Sequence, residues 1–182
     1  MKKLLFVLML IFVVAGCSNS DDNKETSNNK DDTDQEVSTE GKVYDSSETA
    51  EITDLDSGST YEVTFNSAEV KEKYNGKTIQ EFTGIEELKS NKFVVINATF
   101  KNTSEETINL KEQIDPLFGK TGLEFGVVDN FEAEINKNME PGESITTDLL
   151  YRWQDFEENT KYYLTFENFK ENQTHITVPY PG

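Results

Sequence analysis

Between Lys92 and Asn102 the side chains alternate, with Val94, Ile96, Ala98 and Phe100 on one side and Asn97, Thr99 and Lys101 on the other. A period of two fits an extended strand and not an amphipathic helix, whose apolar stripe returns every 3.6 residues or so. Phe93 and Val95 add apolar weight to the opposite face at the start of this run, so the strand is expected to be central.

The same signature recurs from Thr60 onward in short runs separated by turn residues. Tyr61, Val63 and Phe65 share a face against Glu62, Thr64 and Asn66. Later come Ile108 and Leu110, then Leu123, Phe125 and Val127, then Phe131, Ala133 and Ile135. Ile145, Thr147, Leu149, Tyr151 and Trp153 alternate in a longer run, followed by Tyr162, Leu164 and Phe166 and by Ile176, Val178 and Tyr180. Asn75-Gly76 reads as a tight turn because both positions tolerate positive φ, and Pro141-Gly142 as another. Only Ile85 to Lys89 looks faintly helical. Roughly seven to nine strands in about 120 residues predict an all-β chain, one immunoglobulin-like two-sheet sandwich spanning 61–182.

The start of the chain carries a different message. Lys2 and Lys3 precede an uninterrupted apolar run from Leu4 to Val14, and Val14-Ala15-Gly16-Cys17 closes it. A charged start, a short apolar stretch and small residues before a cut form a secretory signal, expected over 1–16. A membrane-spanning helix needs about 20 apolar residues, more than this run supplies. Cys17, the chain's one cysteine, makes the segment resemble the bacterial lipoprotein class, in which the thiol takes a diacylglyceryl group and becomes the new first residue. Two acyl chains hold where one anchors only marginally, since each buried methylene contributes about 0.8 kcal/mol. The expected address is the outer face of the cell membrane, with the bilayer itself a partner through acylated Cys17.

A lipidated Cys17 leaves no thiol for a disulfide or a zinc cluster. The formal charge is −18, which disfavours nucleic acid and anionic headgroups as partners. Residues 18–60 hold 13 acidic and 3 basic side chains, with Val37, Val43, Tyr44, Ile52 and Leu55 as their large apolar ones. Such a stretch buries little to offset its ordering entropy, so 17–60 is expected to be a lipidated cysteine followed by a disordered acidic tether.

The run Lys92 to Thr103 (KFVVINATFKNT), followed by Met139-Glu140-Pro141-Gly142-Glu143-Ser144 leading into a hydrophobic strand, resembles the telokin-like, immunoglobulin-fold domain of unknown function found in many Gram-positive lipoproteins. The resemblance covers Tyr61 to Gly182. It implies a fold and an address and carries no catalytic residues.

Chemistry-bearing groups are sparse. A Ser-His-Asp hydrolase needs a positioned imidazole, and the one histidine, His175, is expected on the solvated face of the last strand. One histidine and no free thiol leave a transition metal without its usual ligands. Asp54-Leu55-Asp56-Ser57-Gly58 opens like a calcium loop, but its glycine comes one place early and Phe65 stands where the closing glutamate belongs. Tyr151 and Trp153 offer an aromatic platform, although their alternation with Ile145 and Leu149 points to core packing. The expectation is a non-enzyme without cofactor or metal: a binding or interaction module for an envelope protein or wall polymer. A carboxylate-based wall hydrolase is the alternative. Loops at the end of a sandwich are the natural contact surface, and Asp155, Glu157 and Glu158 present a negative face to a basic partner.

Overall fold

The computed structural model describes residues 41–86, 91–120, 123–126, 136–152, 157–167 and 173–180. Strands β1 (Lys42–Tyr44), β2 (Thr49–Thr53) and β3 (Thr60–Lys71) precede helix α1 (Ile79–Thr83). Then come β4 (Phe93–Asn102), β5 (Ile108–Asn109), helix α2 (Leu110–Gln113), β6 (Leu117–Lys120) and β7 (Leu123–Phe125). Strands β8 (Asn138–Met139), β9 (Ser144–Arg152), β10 (Tyr162–Phe166) and β11 (Thr174–Val178) complete the chain. One sheet runs β1-β11-β10-β6-β7, a second β2-β3-β4-β9, and β5 pairs with β8 apart from both.

The two larger sheets form a sandwich. Val94, Ile96 and Phe100 of β4 and Leu149 and Tyr151 of β9 share one core with Phe118, Leu164, Phe166, Ile176 and Val178 of the other sheet. Phe166 sits at its hinge, edge-on to Tyr61 at 6.3 Å and to Phe100 at 6.4 Å between ring centroids. Strand β4 is central as its sequence predicts, and its two faces serve different clusters. Phe93 and Val95 point away from the main core and pack with Ile79, Leu150 and the ring of Phe82. Helix α1 covers that outer face, held by a capping box in which Thr78 and Glu81 satisfy each other's backbone N–H groups.

Three expectations are corrected. The folded part begins before Tyr61: residues 41–60, read as tether, include β1 and β2. Ala50 and Ile52 are fully or nearly fully buried in the main core while their neighbours Thr49, Glu51 and Thr53 face out. Gly41 makes β1 possible, because its backbone at φ 146° lies so close to the Gln173 carbonyl that a Cβ would overlap it. There β1 pairs parallel to β11. Helix α1 at Ile79–Thr83 is a helical turn that the alternation pattern does not signal; Gly84 in the left-handed region ends it, Ile85 is exposed, and residues 87–89 of the Ile85 to Lys89 run lie outside the described residues. From Thr60 onward the described residues hold nine strands, β3 to β11, within the seven to nine expected. Finally, His175 is buried: Val43 and Thr165 flank it in register, Thr165 Oγ1 lies 3.0 Å from its Nδ1, and the Tyr163 ring packs against it.

The Asn75-Gly76 turn forms as expected, with φ of 48° and 81° and with Tyr74 and Lys77 exchanging backbone hydrogen bonds of 2.9 and 3.0 Å. The two separated segments that carry the family resemblance prove to be physically joined by Asn102, whose side chain is wholly buried. Its Nδ2 donates to the carbonyls of Glu106 (2.7 Å) and Met139 (2.8 Å), and its Oδ1 accepts from the backbone N–H and hydroxyl of Ser104. Its backbone pairs across the Pro141-Gly142 turn. A buried amide satisfied at every position fixes the end of β4 to β8 and to the start of β9.

Candidate functional site

The Asp54 to Gly58 segment is a turn between β2 and β3 closed around one carboxylate. Asp54 accepts from the Asp56 N–H (2.9 Å) and from the Ser57 hydroxyl (2.6 Å), and the Ser57 Oγ accepts in turn from the Ser59 N–H. The departure from the calcium-loop pattern thus has a structural counterpart, with Asp54 serving the turn.

This turn forms one wall of a cleft of about 520 Å³ at the end of the sandwich. Glu112 and Gln113 of α2 and the following Asp115 form the opposite wall, and Gln113 Nε2 reaches Ser57 Oγ at 3.4 Å. Glu167 closes the third side. It stands just after β10 with φ of 53°, a conformation rare outside glycine, and its carboxylate accepts from the Leu55 N–H at 3.2 Å. The floor is Tyr61, Leu117 and Phe166. Among the described residues, five carboxylates and neither lysine nor arginine line this space.

Tyr61 is the unusual member. It is only 1% exposed, yet its hydroxyl borders the cleft and makes no hydrogen bond among the described residues. Burial, and after it the carboxylates of Glu167 and Asp54, hold its ionisation well above the ordinary tyrosine value, so the phenol stays protonated. Tyr151, equally buried on β9, differs: its hydroxyl donates to the Pro116 carbonyl at 2.9 Å. A protonated phenol over an apolar floor, rimmed by carboxylates, can accept a hydrogen bond from a cation and cover the cation's apolar stem.

The turn favoured from sequence lies at the other end of β10. Glu157 and Glu158 are exposed there, and Asp155 lies outside the described residues. Glu157 is committed to its own loop. Its N–H donates to the Tyr162 hydroxyl at 2.6 Å and its carboxylate accepts from Thr160 at 3.1 Å. Val14, Ala15, Gly16, Cys17 and Trp153 also lie outside the described residues. Among the described residues no helix is long and apolar enough to cross a membrane. Sequence reading missed the cleft because Tyr61 alternates like any core residue. The available signal was a phenol at the start of a strand, directly after an acidic turn.

No family model matches the chain, and no curated protein does. Among solved structures it is similar to MPT63, a secreted protein of Mycobacterium tuberculosis, with a TM-score of 0.51 and 8% identity over 77% of this chain and 98% of that one. An uncharacterised β-sandwich protein of Clostridium difficile aligns at a TM-score of 0.46 and 16% identity, covering 77% of this chain and 97% of its own. A candidate lipoprotein of Staphylococcus aureus aligns at 0.40 and 8% identity, covering 72% and 93%. The likeness to MPT63 shows the two-sheet sandwich fold. These neighbours carry no enzymatic description.

Proposed function

We propose that the protein is a lipoprotein of the Gram-positive envelope, a telokin-like immunoglobulin-fold domain held on the outer membrane face by acylated Cys17. It works there as a non-catalytic binding module. Its partner is a positively charged envelope protein or wall polymer. The observation that carries the binding role is the cleft, a concave space of about 520 Å³ lined among the described residues by five carboxylates over an aromatic floor. A site of this character attracts cationic groups at long range and holds them at short range.

Two measurements test it. Replacing Cys17 by Ser should release the chain from the membrane fraction after a salt wash; retention as firm as the parent's would sink the anchor. Incubation with purified envelope polymer should give salt-sensitive co-sedimentation with no fragments released. Released fragments would favour the carboxylate-based hydrolase instead.

A further inference from the structure

The Tyr61 hydroxyl sets this cleft apart from an ordinary acidic surface. Carboxylates alone describe a solvated face, but Tyr61 is 1% exposed and its hydroxyl, on the cleft floor without a hydrogen-bond partner among the described residues, is left for whatever enters the cleft to complete. Tyr151 and Tyr162 show that this fold does supply partners to buried tyrosine hydroxyls elsewhere, through Pro116 and Glu157.

We infer that the cleft takes a primary alkylammonium group, one N–H donating to the Tyr61 hydroxyl oxygen while the Asp54 and Glu167 carboxylates balance its charge and the Tyr61, Leu117 and Phe166 floor covers its apolar stem. This rests on the binding role proposed above and names the chemistry it recognises. A divalent cation fits less well. It asks for several oxygens converging at about 2.3 to 2.6 Å, and among the described residues no three acidic, histidine or cysteine side chains converge in that way. The volume also exceeds what one ion fills and lies within the range of about 300 to 1,000 Å³ typical of organic-ligand sites. Aromatic rings on the floor favour the same guest, since a ring face attracts an ammonium. Such a group is carried by a lysine side chain of a basic polypeptide or by a free diamine.

The test is calorimetric titration of the full chain, in neutral detergent, with a tetralysine peptide, with 1,5-diaminopentane and with calcium chloride. At least one amine should bind, and Tyr61→Phe should weaken it about tenfold, the effect of losing one hydrogen bond to a charged group. Glu167→Gln should weaken the same amine by a similar factor, and circular dichroism melts should show both variants folded. A peptide bound at least tenfold tighter than the diamine identifies a polypeptide source, and equal binding a free amine; each supports the inference. Failure of both amines to bind, or amine affinity within twofold of the parent in Tyr61→Phe, overturns it. So does calcium binding that displaces the amine and ignores Tyr61→Phe. If amine binding fails while envelope co-sedimentation persists, the binding role stands and this inference alone falls.

Discussion

Strand β10 has acid at both ends, and the two ends treat a tyrosine hydroxyl in opposite ways. At its start, Tyr162 and the Glu157 backbone satisfy each other, the N–H donating at 2.6 Å and the hydroxyl returning a bond to the carbonyl at 3.3 Å. At its finish, Phe166 and Glu167 border a cleft in which the Tyr61 hydroxyl is given no such partner among the described residues. The first end is a loop closed on itself, with its carboxylates turned to solvent. The second is a concavity with its polar group left open. Charge alone does not distinguish a contact surface from a solvated turn; the state of the buried polar group does.

The comparison is broken most severely through Phe166. Its ring serves both as cleft floor and as core, edge-on to Tyr61 and Phe100. Phe166→Ala should therefore cost about 3 to 5 kcal/mol of stability and remove the cleft together with its binding. Chemical denaturation measures it. A loss below about 1 kcal/mol would mean that the floor is not part of the packed core.

A smaller and sharper contrast is between two hydroxyl deletions. Tyr162→Phe strands the Glu157 N–H and should cost about 1 to 2 kcal/mol. Tyr61→Phe removes no hydrogen bond among the described residues and should change stability by less than about 0.5 kcal/mol. Equal costs in parallel urea titrations would show that Tyr61 is tied down after all, and the two ends would no longer differ.

The strands of the closed end were legible in the sequence, whereas the cleft was not. Alternation reports which side chains share a face, and it correctly assigned Val94 to Phe100, Tyr162 to Phe166 and Ile176 to Val178. It cannot report whether the opposite face is covered. His175 alternates outward yet is buried between Val43 and Thr165, because β1 adds itself to the sheet edge through backbone pairing that leaves no side-chain signature. Averaging composition over 17–60 hid β2, whose inward residues are only Ala50 and Ile52. The cleft joins Asp54 to Glu167 across most of the domain, a proximity set by sheet pairing alone. Asn102 shows the reverse case. Its resemblance-bearing motif was visible, but the buried knot that ties it to Met139 and the Pro141-Gly142 turn appears only in three dimensions.

Alkaline titration reads the two buried phenols together. Burial raises the ionisation of both Tyr61 and Tyr151 above the ordinary value near 10, so above that pH the unfolded chain loses protons that the folded chain keeps. Their contribution is fully present below about pH 10 and declines as pH rises toward the folded values. Half a unit above pH 10, Tyr61→Phe should have recovered somewhat under about 1 kcal/mol relative to its difference from the parent at pH 8. An identical difference at both pH values would show that Tyr61 ionises as freely in the fold as in the unfolded chain.

The smallest expected effect belongs to the exposed turn. Glu157→Gln with Glu158→Gln removes two negative charges at the closed end while leaving the Glu157 backbone, and hence its bond to Tyr162, intact. The Glu157 carboxylate gives up little more than its exposed contact with Thr160, so stability should move by less than about 0.5 kcal/mol. Amine affinity at the distant cleft should stay within twofold at moderate salt, because separated surface charges are screened beyond about 8 to 10 Å. Envelope co-sedimentation should likewise survive. If the double variant instead abolishes capture while Tyr61→Phe leaves it intact, contact is made by the Glu157 and Glu158 turn, and the open phenol at the other end of β10 is an unpartnered core residue with no ligand to complete it.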